Sequence, residues 1–204
     1  MIELARCETA GPRLYFDKNF SLDAAKISPG EYFSTPHDMV LVTVLGSCVA
    51  ACIRDKVNGI GGINHFMLPD DNGNHDNPSG APARYGGYAM EILINDLLKL
   101  GARRENFEAK VFGGGRVLSG FTTETVGERN AAFVLDYLCT EKICVVAQDL
   151  LDIHPRKVYY FPRTGKVLVK KLLALHNDTI YKREKAYKAT IKSQKISGDV
   201  ELFT

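Results

Sequence analysis

Two side chains in this sequence are spaced so that they could do chemistry together. Cys48 follows an apolar run, Met39 to Leu45, and a Gly46-Ser47 corner; His65 lies seventeen positions further on, in Ile63-Asn64-His65-Phe66-Met67-Leu68-Pro69. Between them come a second apolar run, Val49 to Ile53, and a polar turn, Asp55-Lys56-Val57-Asn58-Gly59. Folded as a β-hairpin about that turn, the segment sets Cys48 opposite a residue between His65 and Met67. Thiol and imidazole are then direct or diagonal cross-strand neighbours, within reach of a proton transfer. A slip of one residue would put them on opposite faces. A histidine beside a cysteine can take its proton and leave the thiolate, the nucleophilic form. Gly46 permits a sharp turn, and the N–H groups around Gly46 and Ser47 could hold an oxyanion. Against this stands the plain alternative that Cys48, flanked by Val49, Ala50 and Ala51, is a small core residue and His65 a satisfied buried one.

The elements that would position this pair can be read from apolar periodicity. Strands are expected at 39–45, 49–53, 60–68, 109–112, 143–150, 157–161 and 167–173. Helices are expected at 88–100, where Ala89, Leu93, Leu97 and Leu100 repeat at helical spacing and Met90, Ile94 and Leu98 widen the stripe, and at 127–140. Gly101 suits the end of the first helix, and Thr125-Val126-Gly127-Glu128 reads as a capping box opening the second. Gly113-Gly114-Gly115 follows a strand but lacks the lysine of a phosphate loop; a close backbone approach to the hairpin and plain turn chemistry both account for it. Arg84, Tyr85, Arg129 and Asn130 stand at helix starts, where they could serve the site or packing. Gln148 and Asp149 end a strand from which a polar side chain could orient His65. The fold class is α/β, a single-domain sandwich of mixed β-sheet with two long helices. It is divided into an extended lead-in (1–38) with one short strand near Gly30 to Phe33, a core domain (39–175) and a basic C-terminal tail or helix (176–204).

Composition narrows the function. The chain has 204 residues, 45% hydrophobic and 25% charged, with a net charge of +2; this is enough for a full core and too balanced to argue for nucleic acid. Five cysteines at irregular spacing make no disulfide framework or zinc pattern and suit a reducing, cytoplasmic setting. No metal or other cofactor is implied: the acidic loop 70–83 matches no calcium-loop spacing. No run approaches the roughly 18–20 apolar residues of a membrane span, and the first residues lack a signal-peptide pattern.

The blocks LVTVLGSCVAACIRD, GIGGINHFMLP, RYGGYAMEILINDLLKLGA, AKVFGGG, GERNAAFVLDYL and PRKVYYFPRTGKVLVKKL, in that order over Met39 to Leu173, resemble the CheD family of chemoreceptor glutamine deamidases. The resemblance implies an α/β sandwich similar to bacterial cysteine deamidases. It also implies hydrolysis of glutamine side chains on methyl-accepting chemotaxis receptors to glutamate and ammonia, through a cysteine thioester. It implies Cys48 as nucleophile, His65 as general base and Thr43 as third member of the triad, and a CheC-type phosphatase as a partner. Two other readings stay open: a non-catalytic adaptor that binds receptors or the phosphatase, and a receptor methylesterase.

Overall fold

The apolar runs on either side of the Gly46-Ser47 corner are strands, β4 (Val40–Leu45) and β5 (Val49–Asp55), but the corner sends them into different sheets. In the computed structural model, which describes residues 11–69, 81–116, 126–173 and 178–193, the first sheet has the order β1-β2-β4-β9-β10. It is built from β1 (Arg13–Asp17), β2 (Leu22–Lys26), β4, β9 (Arg156–Phe161) and β10 (Lys166–Lys171). The second has the order β3-β6-β5-β7-β8, from β3 (Tyr32–Thr35), β6 (Ile60–Asn64), β5, β7 (Phe107–Gly113) and β8 (Cys144–Leu150). Each sheet is antiparallel except for one parallel pair, β2 with β4 and β7 with β8.

Strand alternation explains the layering. Successive residues of β5 point to opposite faces. Val49, Ala51 and Ile53 join Met90, Leu93, Leu97, Val134 and Leu138 in a core between the second sheet and helices α1 (Ala81–Lys99) and α2 (Val126–Thr140). Cys48, Ala50 and Cys52 join Leu41, Leu45, Val158 and Tyr160 in a core between the two sheets. Every residue of β5 except Arg54 is buried, because the strand is covered on both faces.

The α/β sandwich expected from the sequence is the fold found, with two corrections to its elements and a third helix. Helix α1 starts at Ala81, not near 88, and Leu98 and Leu100 of the expected stripe are exposed, since the buried face is Met90, Leu93, Ile94 and Leu97. Gly101, at φ +94°, closes α1 with N–H bonds from Gly101 to Leu98 and from Ala102 to Leu97. The lead-in carries three strands instead of one: β1 and β2 build the edge of the first sheet and β3 that of the second. Its alternation is illegible because Leu14 and Phe16 lie on an uncovered face, 61% and 59% exposed. Residues 178–193 form helix α3 (Asp178–Ser193). The acidic loop and the Thr125 cap fall, wholly or in their first residues, outside the described residues.

Candidate active site

The corner between β4 and β5 is held by its carbonyls. Gly115 N–H donates to Gly46 O (2.7 Å), Asn130 Nδ2–H to Ser47 O (2.8 Å) and Gly114 N–H to Cys48 O (2.8 Å). With the carbonyls tied to β7 and α2, the three peptide N–H groups of Gly46, Ser47 and Cys48 converge on one point instead. The triple glycine therefore makes the close backbone approach: a Cβ at Gly113 would lie 2.2 Å from Cys48 O. Asn130, fully buried on the first turn of α2, also accepts Leu68 N–H at 2.9 Å and so fastens both arms of the hairpin.

The hairpin pairs as the spacing allowed. Cys52 faces Ile63, and Val49 faces Phe66 through two 3.0 Å backbone bonds. Continued by one residue, this register sets Cys48 opposite Met67, with His65 its diagonal neighbour on the same, inter-sheet face. Between these pairs the ladder is broken, and Asn64 fills the gap: its Oδ1 accepts Ala51 N–H at 2.9 Å while its Nδ2 reaches Ala89 O on α1 at 3.0 Å. His65 is pinned by its own backbone, which donates to Glu31 O (2.9 Å) and accepts from Gly30 N–H (2.7 Å).

Thr43, on the facing sheet, completes the geometry. Its Oγ1 lies 2.8 Å from His65 Nδ1 and 2.8 Å from Ile27 O. A carbonyl can only accept, so the threonine hydroxyl donates to Ile27 O and its oxygen accepts the proton on His65 Nδ1. That leaves Nε2 as the unprotonated ring nitrogen, and this buried atom has no hydrogen-bond partner. A bare, desolvated imidazole nitrogen is able to accept a proton. Burial, and then the nearby Arg183 cation, push the His65 pKa down to about 3, so the ring is neutral at physiological pH.

A residue that sequence reasoning missed occupies the point where the three N–H groups converge. Glu184 of α3, fully buried, accepts Gly46 N–H (2.9 Å) and Cys48 N–H (3.4 Å) at Oε1, and Ser47 N–H (2.9 Å) and Ser47 Oγ–H (2.6 Å) at Oε2. Burial, the Glu184 charge and a hydrogen bond from thiol to carboxylate raise the Cys48 pKa well above its ordinary value, so the thiol is protonated here. Arg183, next to it, donates to Val44 O at 2.5 Å. The available signal was a stripe: Ile180, Glu184, Tyr187 and Ile191 follow helical spacing, with a glutamate where an apolar residue belongs. Beside His65 a cleft of about 720 Å³ opens between Gly30, Phe66, Tyr85 and Tyr187.

The fold thus brings Thr43, Gly46, Ser47, Cys48 and His65 together, and Tyr85 and Asn130 with them. Asp149 lies elsewhere: it pairs with the buried Arg156 at 2.6 Å across the two sheets and does not orient His65. Cys139 and Cys144 are exposed thiols. Among the described residues no cluster of histidine, cysteine and carboxylate side chains could hold a metal ion, and no described helix is long and apolar enough to cross a membrane.

Comparison with known proteins reaches the whole chain. The sequence model of a family described as CheD chemotactic sensory transduction matches residues 67–171, a segment that begins just past His65. A protein of Janthinobacterium sp. (strain Marseille), bearing the name probable chemoreceptor glutamine deamidase CheD, is 64% identical over 204 residues, all of both chains. One of Thiobacillus denitrificans with the same name is 64% identical over 96% of this chain and 97% of its own. A third, of Shewanella oneidensis, is 58% identical over 94% of this chain and 93% of its own. The likeness to the first extends through α3, beyond the blocks legible in the sequence.

Proposed function

Because this chain belongs to the CheD family, we propose that it is an amidohydrolase that converts glutamine side chains of chemoreceptors to glutamate, with Cys48 as its nucleophile. The observation that carries the assignment of residues is the Thr43–His65 contact, which fixes the imidazole with Nε2 bare on the face it shares with Cys48. In the proposed reaction His65 Nε2 takes the Cys48 proton, and the thiolate attacks the side-chain carbonyl carbon as its π electrons move onto oxygen. The N–H groups of Gly46, Ser47 and Cys48 receive that oxyanion. The imidazolium returns its proton to the nitrogen, the C–N bond breaks and ammonia leaves, giving a thioester. His65 then deprotonates a water, which adds to the thioester carbon. The C–S bond breaks, the sulfur is reprotonated, and glutamate is released.

The experiment is incubation with a receptor cytoplasmic fragment, followed by mass mapping of glutamine-to-glutamate conversion and by ammonia release. Cys48→Ala should keep the fold, since only a buried sulfur is removed, and abolish both signals. Conversion at the wild-type rate in that variant would reject Cys48, and release of methanol in place of ammonia would mark a methylesterase. A cytoplasmic setting and a CheC-type phosphatase partner belong to the same reading, and binding of the purified phosphatase would test the latter.

A further inference from the structure

The N–H groups assigned to the oxyanion are already occupied from within the chain. The Glu184 carboxylate takes the three corner N–H groups and the Ser47 hydroxyl, with every donor facing an acceptor. A glutamine side chain in the same pose would turn its NH2 toward one of these donors, whereas a carboxylate accepts at both oxygens. The atoms of Glu184 therefore stand in for the product of the reaction: one oxygen for the former amide oxygen, the other for the oxygen gained from water. Burial and the adjacent Glu184 charge keep the Cys48 thiol protonated while His65 Nε2 has no partner, so the nucleophile and its base are uncoupled.

The contact is built into a helix, not a stray side chain. Ile180 and Ile191 of α3 are buried on the same stripe as Glu184. Tyr187 lies over Gly30 (φ +85°), where a Cβ would come within 2.9 Å of the tyrosine hydroxyl, and that hydroxyl meets the hydroxyl of Tyr85 on α1. What the groove accommodates at Cys48 is thus an α-helix projecting a five-atom acidic side chain. Resting on the deamidase reading of Cys48, we propose that the groove under α3 is the docking surface of the substrate, a helix presenting an exposed glutamine, and that α3 is a tethered product mimic which the substrate helix displaces. Substrate and α3 compete for the same N–H groups, next to a cleft that Tyr187 of α3 and Tyr85 line together. Catalysis then scales with the fraction of molecules in which α3 has left.

Two readouts on the full chain test this without depending on turnover. Alkylation of Cys48 by iodoacetamide, mapped by mass spectrometry, should be about tenfold or more faster in Glu184→Ala than in wild type. Tyr187→Phe, which removes only the hydroxyl meeting Tyr85, should shift it in the same direction, and it serves alone if the first variant proves unfolded by circular dichroism. Addition of a helical receptor cytoplasmic fragment to wild type should raise amide exchange over residues 178–193. Unchanged alkylation in a folded variant, or protection of 178–193 by the fragment, overturns the proposal. Faster alkylation and faster exchange with no glutamine converted would sink the deamidase reading and leave the docking groove standing. Conversion with α3 unmoved and alkylation unchanged would do the reverse.

Discussion

In the proposed reaction Thr43 acts through His65. With its hydroxyl given to Ile27 O, its oxygen accepts from only one ring nitrogen of His65, so a single side chain selects the tautomer and the ring angle. Thr43→Val keeps the shape and removes both bonds, leaving the Ile27 carbonyl and the imidazole to find other partners. We expect kcat for glutamine conversion to fall about 10–100-fold with little change in KM, and Thr43→Ser to restore most of it. Equal losses in Val and Ser variants, read from steady-state kinetics, would show that the methyl group and not the hydroxyl matters. In the proposed mechanism Thr43 is a positioning residue, since it faces the histidine and does not line the cleft.

The hairpin that carries Cys48 and His65 depends on its turn and on the helix behind it. Asp55, fully buried at the end of β5, accepts N–H bonds from Val57 (2.8 Å), Asn58 (2.9 Å) and Arg103 (2.9 Å). Burial opposes its ionisation, but those bonds outweigh it and hold the carboxyl well below the usual carboxylate range. Asp55→Ala strands those donors and should cost about 2–4 kcal/mol of stability, measured as a lower denaturant midpoint at neutral pH. Its carboxyl pKa is depressed on folding, so the contribution is full above the unfolded value, near 4, and fades as pH falls below it. Wild type and variant should therefore converge in acid. Asn130 plays the matching part on α2. Asn130→Ala frees both Ser47 O and Leu68 N–H and should cost about 2–3 kcal/mol. It should also lower kcat, because the corner N–H groups lose the tie that aims them.

At the scale of the molecule, the site is a seam between two sheets closed by a third element. Thr43 comes from the first sheet, the backbone of His65 is clamped by the chain entering β3 of the second, and Glu184 arrives on α3. Protonating His65 means placing a charge in that seam. The unfolded chain takes up this proton near 6.5, the folded one only near 3. This contribution to stability is therefore complete above about 6.5 and is lost as pH falls through the interval between the two values. Thermal melts of wild type should fall across that interval, and His65→Gln should flatten the fall. A variant whose melting temperature declines as steeply as wild type would place the acid sensitivity elsewhere.

How much of this is legible in the sequence follows from the range of each interaction. Cys48 and His65 are joined by a hairpin whose turn and alternation lie within eighteen residues, and local periodicity sufficed to bring them to one face. The helices were visible for the same reason, though the start of α1 was not, since Ala81 to Gly87 carries little apolar pattern. The β1–β2 hairpin is local but sets Leu14 and Phe16 on an uncovered face, the burial of α3 depends on partners far along the chain, and no local pattern announces which sheet edge or groove an exposed-looking stretch will cover. Glu184 shows this best: its place on an apolar stripe marks it for burial, but only closure of 137 residues of chain from Ser47 makes it the occupant of the Gly46-Ser47 corner. Sequence by itself determined which two reactive side chains share a face, because Cys48, His65 and the turn between them are neighbours in the chain. Tertiary structure alone decided how that chemistry is held shut, because a carboxylate is drawn to unpaired N–H groups wherever the fold happens to gather them.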